Sequence, residues 1–200
     1  MDAVREPGRH VLLGHSMGGT VAARFAAEAL ASAPAAWSRP LDGLVLSSPA
    51  LELGMNALQK TLLAVLGPLA PDLRVGNGLK PVWISRDPAV VQAYVDDPLV
   101  HDRVTPRLLR FMLDAGAKVL AHAPQWQLPT LLLWAGADRC VAPRGSAAFA
   151  AAAPPAVAAS QAYPELFHEI FNEPERAQVL ARLTQWLKLL PPTKPVRSLP

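Results

Sequence analysis

The stretch VLLGHSMGGT, at residues 11–20, constrains the fold of this chain more than any other feature. Aliphatic residues lead into the pattern G-x-S-x-G, in which Ser16 lies between Gly14 and Gly18, and a helical pattern follows. Glycines allow the backbone to turn sharply there, and we expect a side chain at either glycine to collide with its neighbours. The turn lifts a hydroxyl above the carboxyl end of a sheet, beside the first amides of the helix. The stretch therefore predicts that Ser16 is a nucleophile.

Short apolar runs alternate with helical patterns along the rest of the chain. The runs that read as buried strands lie at residues 10–13, 44–47, 130–134 and, more weakly, 156–162. Helices are predicted at 20–31 and 174–190. The second helix has one apolar face, formed by Val179, Leu183, Trp186, Leu187 and Leu190. Strands separated by helices predict an α/β fold, a parallel sheet flanked by helices.

Residues 52–123 interrupt this alternation, because they contain no convincing strand and are too long for an ordinary connection. One helical pattern has an apolar stripe that includes Met55, Leu58 and Leu62. A second helix is predicted to begin with Thr105 as N-cap and Pro106 at the first helical position. The stripes fit simple packing, or a helical cap whose inner face contacts an apolar substrate. We expect one domain over 1–200, with a cap subdomain inserted at 52–123.

Composition excludes several classes of protein. The chain has 200 residues, 51% of them hydrophobic, and a net charge of only +3 without a run of Lys and Arg, so we expect no nucleic-acid partner. The single cysteine cannot form an internal disulfide, and the charged N-terminal residues do not fit a signal peptide. We therefore predict a cytoplasmic protein without a membrane-spanning helix.

A serine hydroxyl needs an imidazole to accept its proton and a carboxylate to hold that imidazole. Asp138 follows the strand at 130–134, and His168 follows the strand at 156–162, in the chain order expected after such a serine. His15 adjoins Ser16, but we expect its ring to point away from the site. The remaining histidines are weaker choices: His10, His101 and His122.

No grouping of His, Cys, Asp and Glu in the sequence has metal-ligand spacing, and we predict neither a metal nor a cofactor. Cys140 lies two residues after Asp138. Its thiol is either close enough to the site for thiol reagents to inhibit, or half-buried and unreactive.

Five stretches resemble sequences of the monoacylglycerol lipase and lysophospholipase group, which has the α/β-hydrolase fold. This group is similar to serine aminopeptidase S33. The stretches read GHSMGG, LDGLVLSSPAL, DDPLV, PTLLLWAGADRCVAPRGS and YPELFHEIFNEPER, and together they span nearly the whole chain. The resemblance implies that Ser16 is the nucleophile, Asp138 the acid and His168 the base. It also implies that the backbone N–H of Met17 is an oxyanion donor.

The function that the resemblance implies is hydrolysis of a lipid ester, of the monoacylglycerol or lysophospholipid type, through an acyl-enzyme on Ser16. The implied partner is a small lipid ester, with transient contact between the cap and a membrane surface. Thioesterases, peptidases and haloperoxidases can share the triad. An acyl-carrier-dependent acyltransferase would pair the serine with another histidine, such as His101 or His122, and an inactive fragment is a further alternative.

The front of the chain departs from this group. Members normally have strands before the nucleophile strand and a His-Gly loop that supplies a second oxyanion donor, whereas only eight residues precede Arg9 and none reads HG. We therefore expect the N-terminal part of the sheet to be missing and the strand at 10–13 to be an edge prone to pairing. Loss of one oxyanion donor typically slows turnover about a hundredfold to a thousandfold.

Overall fold

The computed structural model describes residues 8–31 and 33–190. The strands within those residues are β1 Val11–His15, β2 Gly43–Ser47, β3 Val75–Gly76, β4 Arg103–Val104, β5 Thr130–Ala135 and β6 Ala158–Tyr163. The α-helices are α1 Ser16–Ala29, α2 Ala57–Leu66, α3 Pro88–Asp96, α4 Pro106–His122, α5 Pro143–Ala152 and α6 Arg176–Leu189. Short 3₁₀ turns lie at Pro81–Trp83 and Ala123–Gln125.

A four-stranded sheet in the order β1-β2-β5-β6 positions the site. All its pairs are parallel, with Leu44 opposite Leu12 and Thr130, so the carboxyl ends of all four strands meet at one edge. β2 is buried along its whole length, as expected for a central parallel strand. Each strand lies within two residues of its predicted place, and the predicted α/β fold is confirmed. β1 and β6 form the two edges of this sheet among the described residues.

Helices cover both faces of the sheet. On one face α1, α4 and α5 pack over Leu46 and Leu132, with Trp126 and Phe149 filling the space between them. Val45 points to the other face, where α6 covers it. Successive residues of one strand thus enter opposite cores, which explains the unbroken aliphatic runs in the sequence.

The predicted buried face of α6 is correct except at Leu187. Val179, Trp186 and Leu190 are buried, whereas Leu187 is 36% exposed. At 100° per residue, Leu187 lies about 80° around the helix from Val179, at the margin of the covered stripe. The buried stripe of α6 is therefore narrower than the apolar face that the sequence predicted.

The segment between β2 and α4 does contain strands, contrary to expectation. β3 and β4 pair antiparallel, with Val75 opposite Val104 and Gly76 opposite Arg103. A ribbon of two residues per strand is too short to produce an alternating pattern, so periodicity could not reveal it. The N-cap of α2 is Asn56, whose side chain accepts a hydrogen bond from the backbone N–H of Gln59 in a capping box.

α4 begins as predicted, with Thr105 as N-cap and Pro106 in the first turn. It belongs to the layer that covers the sheet, because it packs against α1 and α5, with buried Val119 in the core that they share. Gly116 makes this fit close, since an added Cβ would lie 2.2 Å from the carbonyl oxygen of Leu51. We therefore propose that the cap subdomain within 52–123 is confined to residues 52–105.

Among the helices of the described ranges, none combines the length and apolar character needed to cross a bilayer.

Candidate active site

The turn at Ser16 has the strained backbone that its sequence predicts. His15 is extended, α1 begins at the next residue, and Ser16 has a φ of 53°, in the left-handed region that residues other than glycine rarely adopt. An added Cβ at Gly14 would lie 2.5 Å from the carbonyl oxygen of Gly18, so glycine is required there. The chain therefore reverses within a few residues and presents the Ser16 hydroxyl at the carboxyl edge of the sheet.

The expectation of a collision at Gly18 is wrong. A Cβ on Gly18 would have no heavy atom within 4 Å. The second crowded position is Gly19, where a Cβ would lie 2.8 Å from Cβ of Pro49 and 3.1 Å from the carbonyl oxygen of Gly14. The segment after β2 approaches the first turn of α1, and the pentapeptide pattern does not include that long-range contact.

Ser16, His168 and Asp138 form a chain of hydrogen bonds. His168 Nε2 lies 2.8 Å from the Oγ of Ser16, and His168 Nδ1 lies 2.6 Å from Oδ2 of Asp138. An ionised Asp138 can only accept, so His168 Nδ1 carries the proton and Nε2 is left to accept the serine proton. The His168 and Asp138 side chains are 6% and 1% exposed. The structure thus brings together the three residues that the sequence singled out.

The loops after β5 and β6 hold the acid and the imidazole. Oδ1 of Asp138 accepts hydrogen bonds from the backbone N–H groups of Cys140 and Val141, at 2.8 and 3.1 Å. Gly136 brings the two loops together, because an added Cβ would lie 2.6 Å from Cα of Pro164. With one carboxylate oxygen fixed by the backbone, the other faces His168.

His15 lies beside the site, contrary to expectation. Its ring centroid is 4.7 Å from that of His168, and its Nδ1 is 3.0 Å from Oγ of Ser47. Burial, and then the neighbouring charge of His168, lower the pKa of His15 to about 4, against smaller opposite effects of Ser47 and Asp138. At neutral pH the His15 ring is therefore uncharged and lies beside the imidazole of His168.

Cys140 lies near the triad, but its thiol is poorly reactive. Its sulfur is within 4.8 Å of possible ligand atoms of Asp138 and His168. Burial, followed by the charges of Asp138 and Glu169, raises the pKa of the thiol to about 12. A metal at these three residues would compete with the hydrogen bonds that join His168 to Asp138 and Ser16, so the arrangement favours acid–base chemistry.

The backbone N–H of Met17 remains a predicted oxyanion donor. Met17 is the second residue of α1, and amides in the first turn have no acceptor within the helix. The N-terminal end of the helix dipole favours negative charge at the same place.

The other histidines lie apart from Ser16. His101 is exposed and accepts a hydrogen bond from the N–H of Arg103, while His122 bonds to the carbonyl of Lys118. His10 approaches Asp42 at 4.0 Å. Among the described residues, these contacts give His101 and His122 no role as partner of the serine.

The three predicted cap residues are not packed into a core. Met55 is half-buried, whereas Leu58 and Leu62 are 68% and 48% exposed. Val65 continues the stripe at 61% exposure, whereas Leu63 is buried.

Glu173, a carboxylate with 0% exposure, was not among the residues predicted for the site. It accepts hydrogen bonds from Ser85, Arg86 and the backbone N–H of Phe167. Burial raises the pKa of Glu173, but the hydrogen bonds from Arg86 and Ser85, with those from the backbone, lower it further, so the net shift is downward. Ser85 and Arg86 lie 88 and 87 residues away in sequence, so the residues next to Glu173 could not reveal these hydrogen bonds.

Comparison with known proteins agrees with the fold. The family model described as serine aminopeptidase, S33, matches residues 2–175. A monoacylglycerol lipase of Mycolicibacterium smegmatis is 34% identical over 180 residues, covering 88% of this chain and 61% of that protein. Phospholipase YtpA of Bacillus subtilis is 31% identical over 171 residues, covering 84% of this chain and 63% of that protein. The chain thus spans about six tenths of the length of these relatives.

Two solved structures have a similar sheet and helices. The monoacylglycerol lipase of Paleococcus ferrophilus superposes with a TM-score of 0.79 at 31% identity, covering 90% of this chain and 68% of that one. A soluble variant of the monoglyceride lipase of Saccharomyces cerevisiae, with a substrate analog, has a TM-score of 0.77 at 23% identity over 93% of this chain and 64% of that one. Since the family model covers most of the chain and the fold agrees, the chain belongs to the serine aminopeptidase S33 family of α/β-hydrolases.

Proposed function

We propose that the protein is a serine hydrolase that cleaves carboxylic esters of lipids, of the monoacylglycerol or lysophospholipid type. The observation that carries the proposal is the continuous hydrogen-bonded path from Ser16 Oγ through His168 to Asp138. The path begins at a hydroxyl on a strained turn and ends at a carboxylate with a 1% exposed side chain. This order of groups is what nucleophilic acyl transfer requires.

The first half of the reaction acylates Ser16. Oγ attacks the ester carbonyl carbon as its proton moves to Nε2 of His168, and Asp138 stabilises the resulting imidazolium. The carbonyl oxygen becomes an oxyanion, which the N–H of Met17 and the start of α1 stabilise. When the intermediate collapses, the C–O bond to the alcohol breaks, and His168 gives its proton to the departing alcohol.

The second half releases the acid. His168 accepts a proton from water as the water oxygen attacks the acyl carbon. The bond from that carbon to Oγ of Ser16 then breaks, and Oγ takes the proton from His168. A carboxylic acid leaves and the starting state is restored. No metal or cofactor takes part in these steps.

A lipid is the favoured substrate class for two reasons. Leu58, Leu62 and Val65 form an exposed apolar stripe on α2, within the segment proposed as the cap. Relatives include a monoacylglycerol lipase and a phospholipase. We propose that Met55, Leu58 and Leu62 contact the acyl chain when a substrate binds, and that the stripe makes transient contact with a membrane surface.

A fluorophosphonate probe tests the nucleophile. We expect one adduct per folded chain, on Ser16, and no adduct in Ser16→Ala. Ser160→Ala changes an exposed serine on β6 and is the matched control, which should react like the unmodified chain. Equal labelling of Ser16→Ala, or no labelling of the folded chain, would refute the proposal.

A substrate panel tests the chemical class. Monoacylglycerols and lysophospholipids of matched acyl length should be hydrolysed faster than an acyl thioester, an aminoacyl amide or a halogenation substrate. Faster amide cleavage would instead favour an aminopeptidase, and transfer to an added acyl carrier would favour an acyltransferase.

A further inference from the structure

We infer that Glu173 is a positioning residue for His168. It holds the histidine loop, residues 164–172 after β6, and a strap of the insert, Trp83–Arg86, in the geometry that aims His168 at Ser16. This inference rests on the proposed function, because it assigns a role toward the same imidazole. Glu173 does not touch the triad, and it acts through its neighbours.

The two oxygens of the Glu173 carboxylate have separate sets of hydrogen-bond donors. Oε1 accepts from the Ser85 hydroxyl at 2.7 Å and from the Arg86 backbone N–H at 2.6 Å. Oε2 accepts from the Arg86 guanidinium at 2.6 Å and from the Phe167 backbone N–H at 3.2 Å. One buried ion thus joins two segments that lie far apart in the chain.

Phe167, whose N–H donates to Glu173, directly precedes His168 in the chain. On the other side of the imidazole, the N–H of Glu169 donates to the carbonyl of Ile84 at 2.8 Å. The backbone amides that flank His168 are therefore both held, one by Glu173 and one by the strap. A residue between two fixed amides has little freedom to turn away from Ser16.

The strap also contacts the loop after β5, which holds Asp138. The guanidinium of Arg139 lies 5.2 Å from the ring centre of Trp83, a cation–π distance, and Arg139 adjoins Asp138. The strap consequently touches the loops of both the acid and the base. Removing the charge at Glu173 should loosen the strap and the histidine loop together.

The experiment compares Glu173→Gln with the unmodified chain by two readouts. Gln keeps the shape but turns an amide N–H₂ toward groups that are themselves donors. We expect the maximal rate of fluorophosphonate labelling at Ser16 to fall about tenfold to a hundredfold, with the half-saturating probe concentration unchanged, since misorientation affects the reacting step. We also expect faster amide hydrogen exchange in a peptide that covers residues 164–172.

Three further variants separate positioning from folding. Ser85→Ala removes one of the four hydrogen bonds, and we expect a several-fold fall in labelling even where Glu173→Gln fails to fold. Glu175→Gln removes a carboxylate from the exposed side of the same Arg86 and should leave labelling unchanged. Thr130→Val removes the buried acceptor of Trp126 on the other face of the sheet, and should lower the melting temperature without slowing labelling.

Failure of this inference differs from failure of the proposed function. If the unmodified chain is folded but unlabelled, the proposed function fails, whereas the exchange readout still decides whether Glu173 holds the loop. Labelling of Ser85→Ala and Glu173→Gln at the unmodified rate overturns the inference. So does unchanged exchange in 164–172, or an equal slowing in Thr130→Val.

Discussion

His168 Nε2 lies 2.8 Å from Ser16 Oγ although the two residues are 152 positions apart and follow strands at opposite edges of the sheet. Three inter-strand spacings, about 14 Å, separate β1 from β6. The loop after β6 must therefore cross back over the carboxyl edge of the sheet to reach the serine. Asp138, after β5, meets the imidazole on the way.

Asp138→Asn should reduce hydrolysis or labelling by about three to four orders of magnitude. The Asn oxygen would remain with the N–H groups of Cys140 and Val141, and its N–H₂ would face Nδ1 of His168. That arrangement forces the proton onto Nε2, which then cannot accept from Ser16. Steady-state assay of the folded variant measures this effect. Asp114→Asn, at an exposed site on α4, is the matched control, and similar losses in both would contradict the assignment.

Gly18 and Gly19 should respond differently to alanine. Gly19→Ala forces a Cβ against Pro49 and should lower the free energy of unfolding by about 1 to 3 kcal/mol. Gly18→Ala enters open space within a helix and should leave stability unchanged or raise it by up to about 1 kcal/mol. Urea unfolding of the two variants tests the pair. Equal losses would show that the turn is crowded on both sides.

Stability should decrease as the pH falls from about 6.5 to about 4 because of His15. The unfolded chain takes up a proton near pH 6.5, but the folded chain, with the pKa of His15 at about 4, does not. The folded state is therefore favoured fully above pH 6.5 and loses about 3 kcal/mol on descending through this window. Urea unfolding at several pH values measures the slope.

The comparison for that slope is His15→Gln, which removes the titrating group and should flatten the curve between pH 4 and 6.5. Thr130→Val keeps His15 and removes no titrating group, so it should lower the whole curve by a constant amount. A slope retained in His15→Gln would assign the pH dependence to other groups.

Cys140 should resist thiol reagents in the folded protein. With the thiol pKa raised to about 12, about 10⁻⁴ or less of the sulfur is ionised at pH 7.5, compared with about a tenth in an unfolded chain. Reaction with a disulfide reagent should therefore be about a thousandfold faster in urea than in buffer. Rapid modification of the folded protein, with loss of labelling at Ser16, would instead mark Cys140 as accessible and close to the substrate.

Polar substitutions in the apolar stripe of α2 should weaken the binding of long-chain substrates only. The double change Leu58→Ser with Leu62→Ser should raise KM for a long-chain monoacylglycerol about tenfold, since apolar contact area is lost. We expect kcat for a short-chain ester to remain unchanged, because the triad is intact. Val95→Ser alters an equally exposed apolar residue on α3 and is the control. Equal effects on short and long esters would exclude a role in chain binding.

Much of the fold could be predicted from local pattern. Aliphatic runs identified three strands of the sheet, and a weaker pattern identified the fourth. Thr105 and Pro106 identified the start of α4, and the glycine-rich turn identified Ser16. These features depend on backbone geometry and capping within a few residues, so neighbouring residues contain the information. Asp138 and His168 followed from chemical necessity and from their places after strands.

Other features depend on contacts between distant segments. The sequence placed α4 in a cap, whereas its buried face packs on α1, and it overlooked the ribbon of β3 and β4. His15 was expected to point away, although it lies against His168. The apolar stripe of α4 predicted a covered face but did not identify the elements that cover it.

The sequence by itself determined the strand–turn–helix around Ser16 and the residue types available for acyl transfer, because sterics and proton chemistry act locally. The tertiary structure decided that Gly19 rather than Gly18 is crowded, that His15 is uncharged at neutral pH, and that Glu173 joins the strap to the histidine loop. Each of these depends on atoms brought together across the sheet, where burial and hydrogen bonding fix charge and position.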